Sequence, residues 1–273
     1  MPAIFLLNLF VNPNTNNMKI LGRLFKWLLL SLLGLVFLVL LFLLLDRDAQ
    51  HIALSKADQQ SIEVVKKHAR PADSSQYFSL LKTWGENKKL APGFELQCLL
   101  ALSHYPELKK VPIDFLVQPA FIQLSARPDP ITVLLPWVKR KYLVVISNDT
   151  GRENDPILLS KAPFNEQVGI IGHELAHVVF YLDKNSLYLA KLAYQYQYDE
   201  AFATVFERET DKRAVAHGLG YQLYDFAFFV RKAFGNTLEE IETEKGDMYL
   251  SPGELAQEMK KYTFYRDTLN APK

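Results

Sequence analysis

Residues 27–45 read WLLLSLLGLVFLVLLFLLL, nineteen positions that are apolar except for Ser31 and Gly34. As a helix rising about 1.5 Å per residue, the run spans roughly 28 Å, close to the hydrocarbon thickness of a bilayer. A core helix of a soluble protein carries a polar stripe, and this run has none. The sequence therefore predicts a transmembrane helix over 27–45 joined to a separate soluble body. Lys19, Arg23 and Lys26 precede the run with no acidic residue among them, as in the n-region of a signal peptide. The run is longer than the ~7–15 residues of a signal h-region. It is followed by Asp46-Arg47-Asp48-Ala49-Gln50, without a small-x-small cleavage site. An uncleaved signal anchor is expected, with the lipid bilayer as partner through residues 27–45. The positive-inside rule then puts the segment 1–26 in the cytoplasm and the rest on the extracytoplasmic side, the periplasm in a bacterium. Met18 opens a second start-like stretch, MKILGRLFKWLLL, so Met1 and Met18 both stay open as the start.

The anchor also conceals the charge of the rest. The whole chain carries 31 Lys+Arg against 30 Asp+Glu, a formal net charge of +1, which argues against a nucleic-acid partner held by bulk charge. Without residues 1–45 the count is 28 against 30, net −2. The single cysteine, Cys98, lies in the apolar stretch LQCLLALS and reads as a buried thiol; an internal disulfide and a Cys-based zinc site are excluded.

Beyond the anchor the pattern divides into a helical membrane-proximal region, 46–92, and a larger domain, 93–273. Helices are expected over 52–68, from Ser74-Ser75 to Trp84, and over 93–104. Runs of β type follow at 113–117, 121–124, 131–135 and 142–147, punctuated by Pro119, Pro128, Pro130 and Pro136. From Pro163 onward the pattern is helical. Asn165 reads as an N-cap with Phe164 as a staple before it, and a second helical stretch runs from Ser186 to His217, ended by Gly218. Ser251-Pro252-Gly253-Glu254 has capping-box spacing. The predicted class is α+β: a small mixed sheet followed by a mainly helical C-terminal half.

The chemistry is concentrated at His173-Glu174-Leu175-Ala176-His177, an HExxH motif inside GIIGHELAHVVF. Residues four apart share one face of a helix, so both imidazoles can reach one Zn²⁺, and Glu174 lies beside the metal rather than on it. There Glu174 can act as general base toward a water molecule activated by the zinc, then as acid toward the leaving amine. Ile170, Ile171, Leu175, Val178 and Val179 supply the apolar body of that helix. One zinc ion per chain is expected.

GHELAH on a helix after a small sheet resembles the zincin metallopeptidases. Farther on, Phe206-Glu207-Arg208-Glu209-Thr210-Asp211 resembles the ExxxD pattern of the gluzincin branch, nearest in motif to membrane-associated heat-shock and CAAX-prenyl zinc peptidases. The resemblance covers roughly residues 100–220, and this chain lacks the several transmembrane helices of those families. It implies a zincin-like domain in which Glu207 is the third ligand and Asp211 supports a ligand histidine. Glu200 is a rival third ligand: it lies 23 residues after His177, and Asp199-Glu200-Ala201 faintly resembles the NEA signature of thermolysin-like members. A straight helical hairpin turning at 183–186 places the two histidines roughly 12–18 Å from the turn, Glu200 about 21 Å and Glu207 about 32 Å. Glu207 is preferred on the resemblance and on its sharing a face with Asp211; it then requires a break near Tyr194–Tyr198.

His217 is a possible oxyanion stabiliser, though a helix C-terminal position before Gly218 is the plainer reading. His51, His68 and His104 lack ligand spacing. Glu209 points away, and the tyrosines between 181 and 198 read as a packing stripe. By analogy with zincins, Tyr142–Ser147 is expected to be the edge strand that pairs with an extended substrate. The expected activity is a membrane-anchored zinc metallopeptidase acting on peptides or unfolded proteins. One alternative is a tethered, non-catalytic binding or assembly protein with a structural or vestigial zinc site; another keeps the zinc chemistry for amide bonds of cell-wall peptides.

Overall fold

The computed structural model describes residues 15–44, 62, 64–70, 74–135, 137–151, 157–243, 245–246 and 248–269. The chain forms two compact units, Met1–Asp48 and Ala49–Lys273. In the first, α1 (Thr15–Leu44) is a single helix whose segment Met18–Val39 is long and apolar enough to cross a membrane and buries none of its surface. The apolar helix thus begins nine residues before Trp27; Leu45, the last residue of the expected span, lies outside the described residues.

The second unit is α+β. Its elements in order are α2 (Ser75–Trp84), β1 (Lys88–Lys89), α3 (Glu95–Ser103), β2 (Ile113–Gln118), β3 (Leu124–Pro128), α4 (Pro130–Leu134), β4 (Tyr142–Ser147), α5 (Phe164–Tyr181), α6 (Ser186–Tyr198), α7 (Glu200–Ala216), α8 (Gly220–Ala233), α9 (Leu238–Thr243), α10 (Pro252–Met259) and α11 (Thr263–Leu269). The sheet is mixed, in the order β1-β2-β4-β3, with β3 antiparallel to β4 and the other pairs parallel.

Several expectations need correction. Residues 131–135 are rich in β-branched and apolar side chains and read as a strand, but Asp129 caps the N-terminus of α4 by accepting from the Ile131 N–H at 3.0 Å, and Pro130 takes the first helical position. The local start signal overrides the β-type composition. The strand expected over 121–124 begins only at Leu124 and runs to Pro128, whose missing N–H is tolerated on an edge strand. Tyr142–Ser147 is a strand as expected, yet it lies inside the sheet; β3 is the edge beside it. Residues 64–70 form no helix, and 52–61 lie outside the described residues. Helix α5 starts one residue before Asn165, at Phe164, with Pro163 as its N-cap. Asn165 instead accepts from the His68 N–H at 2.8 Å and donates to Asp225 at 2.7 Å, holding the chain before α2 and helix α8 together. The capping box at Ser251 and Glu254 is present on both sides.

Helix α5 is the axis of the unit and is buried along nearly its whole length. It packs against α3, α7, α8 and β3. Two glycines allow the closest of these contacts: a Cβ on Gly169 would meet the Gln222 carbonyl oxygen at 2.5 Å, and one on Gly172 would run into Leu219. Because a backbone atom cannot rotate aside, Gly169 fixes how closely α8 approaches the motif-bearing helix.

A second buried layer lies behind that helix. The Tyr105 hydroxyl donates to the Gly172 carbonyl at 2.6 Å, and its ring stacks on His217 at 4.4 Å. His104 donates through Nδ1 to the His217 carbonyl at 2.9 Å and meets the His68 ring edge-on at 5.6 Å. Burial pushes the pKa of His104 down to about 4, and the nearby His68 adds to the effect. The unfolded chain therefore takes up a proton near pH 6.5 that the folded chain refuses until about pH 4. Stability from this source is present above pH 6.5 and is lost as pH falls through that window, by about 2 kcal/mol at pH 5 and about 3 kcal/mol at its end. Urea midpoints of the full chain at pH 7 and pH 5 should thus differ less in His104→Gln than in the wild type; an equal difference would show that His104 is not the group responsible.

Candidate metal centre

Two helices build the site. Helix α5 contributes His173, Glu174 and His177; α7 contributes Glu207, Thr210 and Asp211. A single long helix from Ser186 would carry Glu207 past the histidines, and the chain avoids this by breaking at Asp199. That residue closes α6 with extended dihedrals (φ −129°, ψ 95°), and its carboxylate caps α7 by accepting from the Phe202 N–H at 3.1 Å. The break falls one residue beyond the stretch in which it was expected, and α7 then packs directly on α5.

The convergence is close. Glu207 Oε2 lies 3.0 Å from His173 Nε2 and 3.2 Å from His177 Nε2, all three side chains being buried. This His173–His177–Glu207 group can hold a metal ion. Glu200, the rival, is an exposed residue in the first turn of α7 and does not belong to the group.

The surrounding hydrogen bonds decide which atoms face the centre. His173 Nδ1 lies 2.8 Å from Asp211 Oδ1 and donates to it, while Asp211 Oδ2 accepts from the Leu250 N–H at 2.8 Å. Thr210 gives its hydroxyl proton to the Phe206 carbonyl at 2.8 Å, which leaves its oxygen to accept from His177 Nδ1 at 3.2 Å. With both Nδ1 atoms donating outward, the two Nε2 atoms and a carboxylate oxygen confront one another, an arrangement suited to sharing a cation, either a metal ion or a proton. The electrostatics agree. Burial alone would lower the pKa of His173, but its hydrogen bonds to Asp211 and Glu207 outweigh that and hold it well above the ordinary histidine value. Burial pushes Glu207 toward protonation, yet His177 and His173 overcome it and keep the carboxylate ionised. Two imidazoles and one carboxylate, with room for a further ligand, are the donor set of catalytic zinc sites. Tetrahedral zinc with bonds of about 2.0–2.1 Å separates its ligand atoms by roughly 3.3–3.4 Å, close to the observed spacing. The residues fit zinc.

Glu174 is buried beside the group without belonging to it. Burial raises its pKa, opposed by His177 and His173 and by the neighbouring Ala126 backbone of β3. A cavity of about 390 Å³ opens beside His173 and Glu174; Ile170, Leu223, Phe226 and Val230 give it an apolar wall, and Tyr249 and Leu250 border it.

Sequence reasoning missed two residues here. The Tyr196 hydroxyl donates to Glu207 Oε1 at 2.6 Å, and the Tyr249 ring stands 5.8 Å from that of His173. Tyr196 is one of several tyrosines in a stretch that reads as packing, and Tyr249 arrives from a segment without a motif; no local signal marks either. His217, the possible oxyanion stabiliser, is not at the site. It caps α7 at its C-terminus, buried, with Nδ1 on the Arg213 carbonyl at 2.7 Å and Nε2 on Glu107 at 2.8 Å. No family model, curated protein or solved structure matches this chain.

Proposed function

We propose that the chain is a membrane-anchored, zinc-dependent peptidase. The observation that carries this reading is the convergence of His173, His177 and Glu207 beside a cavity that His173 and Glu174 line. When bound by those three side chains, zinc would lower the pKa of water and polarise a carbonyl. The protein's own groups do the remainder. Glu174 takes the proton of the attacking water and returns it to the departing amine. Asp211 and Thr210 hold the two imidazoles in the tautomer that points Nε2 inward. The Tyr196 hydroxyl donates to Glu207 Oε1 and so holds the carboxylate with its other oxygen toward the two imidazoles.

The edge strand β3 supports a peptide substrate. An extended chain added along its outer edge would run past Ala126, which lies next to Glu174 and whose carbonyl accepts from the Tyr181 hydroxyl at 3.5 Å. The cavity walled by Ile170, Leu223, Phe226 and Val230 suits a large apolar side chain next to the scissile bond. A purely structural zinc site is disfavoured because such sites close the metal with four protein ligands, whereas this one has three among the described residues and a cavity beside His173. Lys19, Arg23 and Lys26, gathered at the N-terminal end of the candidate span, support an extracytoplasmic catalytic unit.

The reading is tested by metal analysis of the purified full chain and by hydrolysis of a mixed peptide library. About one zinc per chain is expected, with cleavage next to large apolar residues, abolished by a chelator and restored by zinc. A chain that takes up zinc but cleaves no peptide would leave the metal site standing and remove the peptidase.

A further inference from the structure

Apart from the residues that line the cavity, the second unit exposes a group of large apolar side chains on adjoining segments. Ile131 and Leu134 of α4 are 67% and 78% exposed, and Trp137 just after it is 78% exposed. Ser186 Oγ donates to the Val133 carbonyl at 2.7 Å, which sets the start of α6, with the exposed Leu187, against α4. Scattered exposed leucines are ordinary, but a contiguous apolar surface that includes a tryptophan marks a contact site.

The border of this surface is positive. Lys109, Lys110 and Lys139 are exposed. Lys139 Nζ donates to the Lys110 carbonyl at 3.1 Å, which sets Lys139, two residues from Trp137, beside the Lys109-Lys110 segment, where Lys109 Nζ lies 5.6 Å from the Trp84 ring centre. Most nearby acids are already engaged, Asp114 and Asp129 at 3.0 Å and 3.5 Å from Lys141, Asp183 at 3.2 Å from Lys184 and Glu107 at 2.8 Å from His217, while the exposed Glu86 acts on Lys88, as Lys139 does. In a body of net −2 this face stands out as cationic.

We propose that this face docks on an anionic bilayer surface, with Trp137, Leu134 and Ile131 entering the interface and the lysines meeting headgroup phosphates. Tryptophan prefers the level of the headgroups, and lysines beside it are drawn to anionic lipid. A protein partner is the weaker match, since protein interfaces are depleted in lysine. The same chain carries α1, a helix long enough to span a bilayer, which would keep a lipid surface at high effective concentration. Docking would hold the second unit in one orientation on the membrane, and it is independent of whether the metal centre hydrolyses anything.

The test uses the full chain with Leu134→Cys carrying an environment-sensitive fluorophore. Cys98 does not compete for the label, being fully buried with its thiol pushed up to about 12. The protein is reconstituted into vesicles of phosphatidylcholine, alone or mixed with phosphatidylglycerol. Flotation with the vesicles reports on α1, and quenching by a lipid-borne quencher reports on this face. The expected result is a blue-shifted label, quenched from the lipid in mixed vesicles, with most of the shift lost at high salt or in the triple variant Lys109→Glu, Lys110→Glu, Lys139→Glu. A matching label at the exposed Lys260→Cys should stay water-like. A water-like label at 134 in floating protein overturns docking while sparing the span, and a chain that does not float overturns both. A shifted label that the lipid quencher cannot reach means that protein covers the face, a second copy or another stretch of this chain, and overturns the proposal; so does equal quenching at 134 and 260.

Discussion

Replacing Glu174 by glutamine is expected to lower peptide hydrolysis by about 10²–10⁴-fold while leaving the zinc content unchanged. The two halves of that expectation have separate causes. Glu174 is not one of the three converging side chains, so its removal deletes no ligand. Glutamine keeps the volume and retains a carbonyl oxygen toward the neighbouring Ala126 backbone. What it cannot do is take a proton. Stability should not fall, because a buried carboxylate whose pKa is raised by desolvation is exchanged for a neutral group of the same shape. The measurement is a pair: metal by elemental analysis, turnover with a peptide that the wild type cleaves. Full turnover in Glu174→Gln would falsify the assigned role, whereas loss of zinc together with turnover would make Glu174 part of the metal site.

What made this half of the site legible in the sequence is that it is local. His173 and His177 are one helical turn apart, and the apolar residues between and around them fix the helix itself, so spacing alone puts both imidazoles on one side. Glu207 depends on something nonlocal, the direction that α7 takes after Asp199. Helix arithmetic on an unbroken hairpin pointed to Glu200, and the resemblance to the ExxxD pattern, with the pairing of Glu207 and Asp211 one turn apart, favoured the residue that converges. The chain break is a capping event by one aspartate in a run of tyrosines and glutamines, a weak signal beside the helical pattern on either side. The strands show the same division. Residues 142–147 have β-type composition and form β4, but whether a strand lies inside a sheet or at its edge is decided by partners distant in sequence, and there the expectation placed the substrate edge one strand too far in. Residues 131–135 illustrate the opposite failure: Asp129-Pro130 is a legible helix start, and the β-branched side chains after it obscured it.

The third ligand gives the second large effect. Glu207→Gln should weaken zinc binding more than Asp211→Asn, for which about 10–100-fold is expected, and Glu200→Gln should leave it unchanged. The order follows from what each carboxylate touches. Glu207 offers the oxygen that faces both Nε2 atoms, at 3.0 Å and 3.2 Å, and an amide there loses the charge that balances a divalent ion. Asp211 touches the metal centre only through His173. As asparagine it can still accept from the Leu250 N–H, but its amide group must then turn toward His173 Nδ1, a donor facing a donor. The imidazole would escape by moving its proton to Nε2, the atom that has to carry a free lone pair, so the cost appears as lost metal affinity rather than as an emptied site. Glu200 is exposed in the first turn of α7, where a carboxylate favours the helix N-terminus by only a few tenths of a kcal/mol. Competition against a chromophoric chelator, with the three variants side by side, reads the order directly. Loss of zinc in Glu200→Gln with retention in Glu207→Gln would reverse the assignment and, with it, the role given to the break at Asp199.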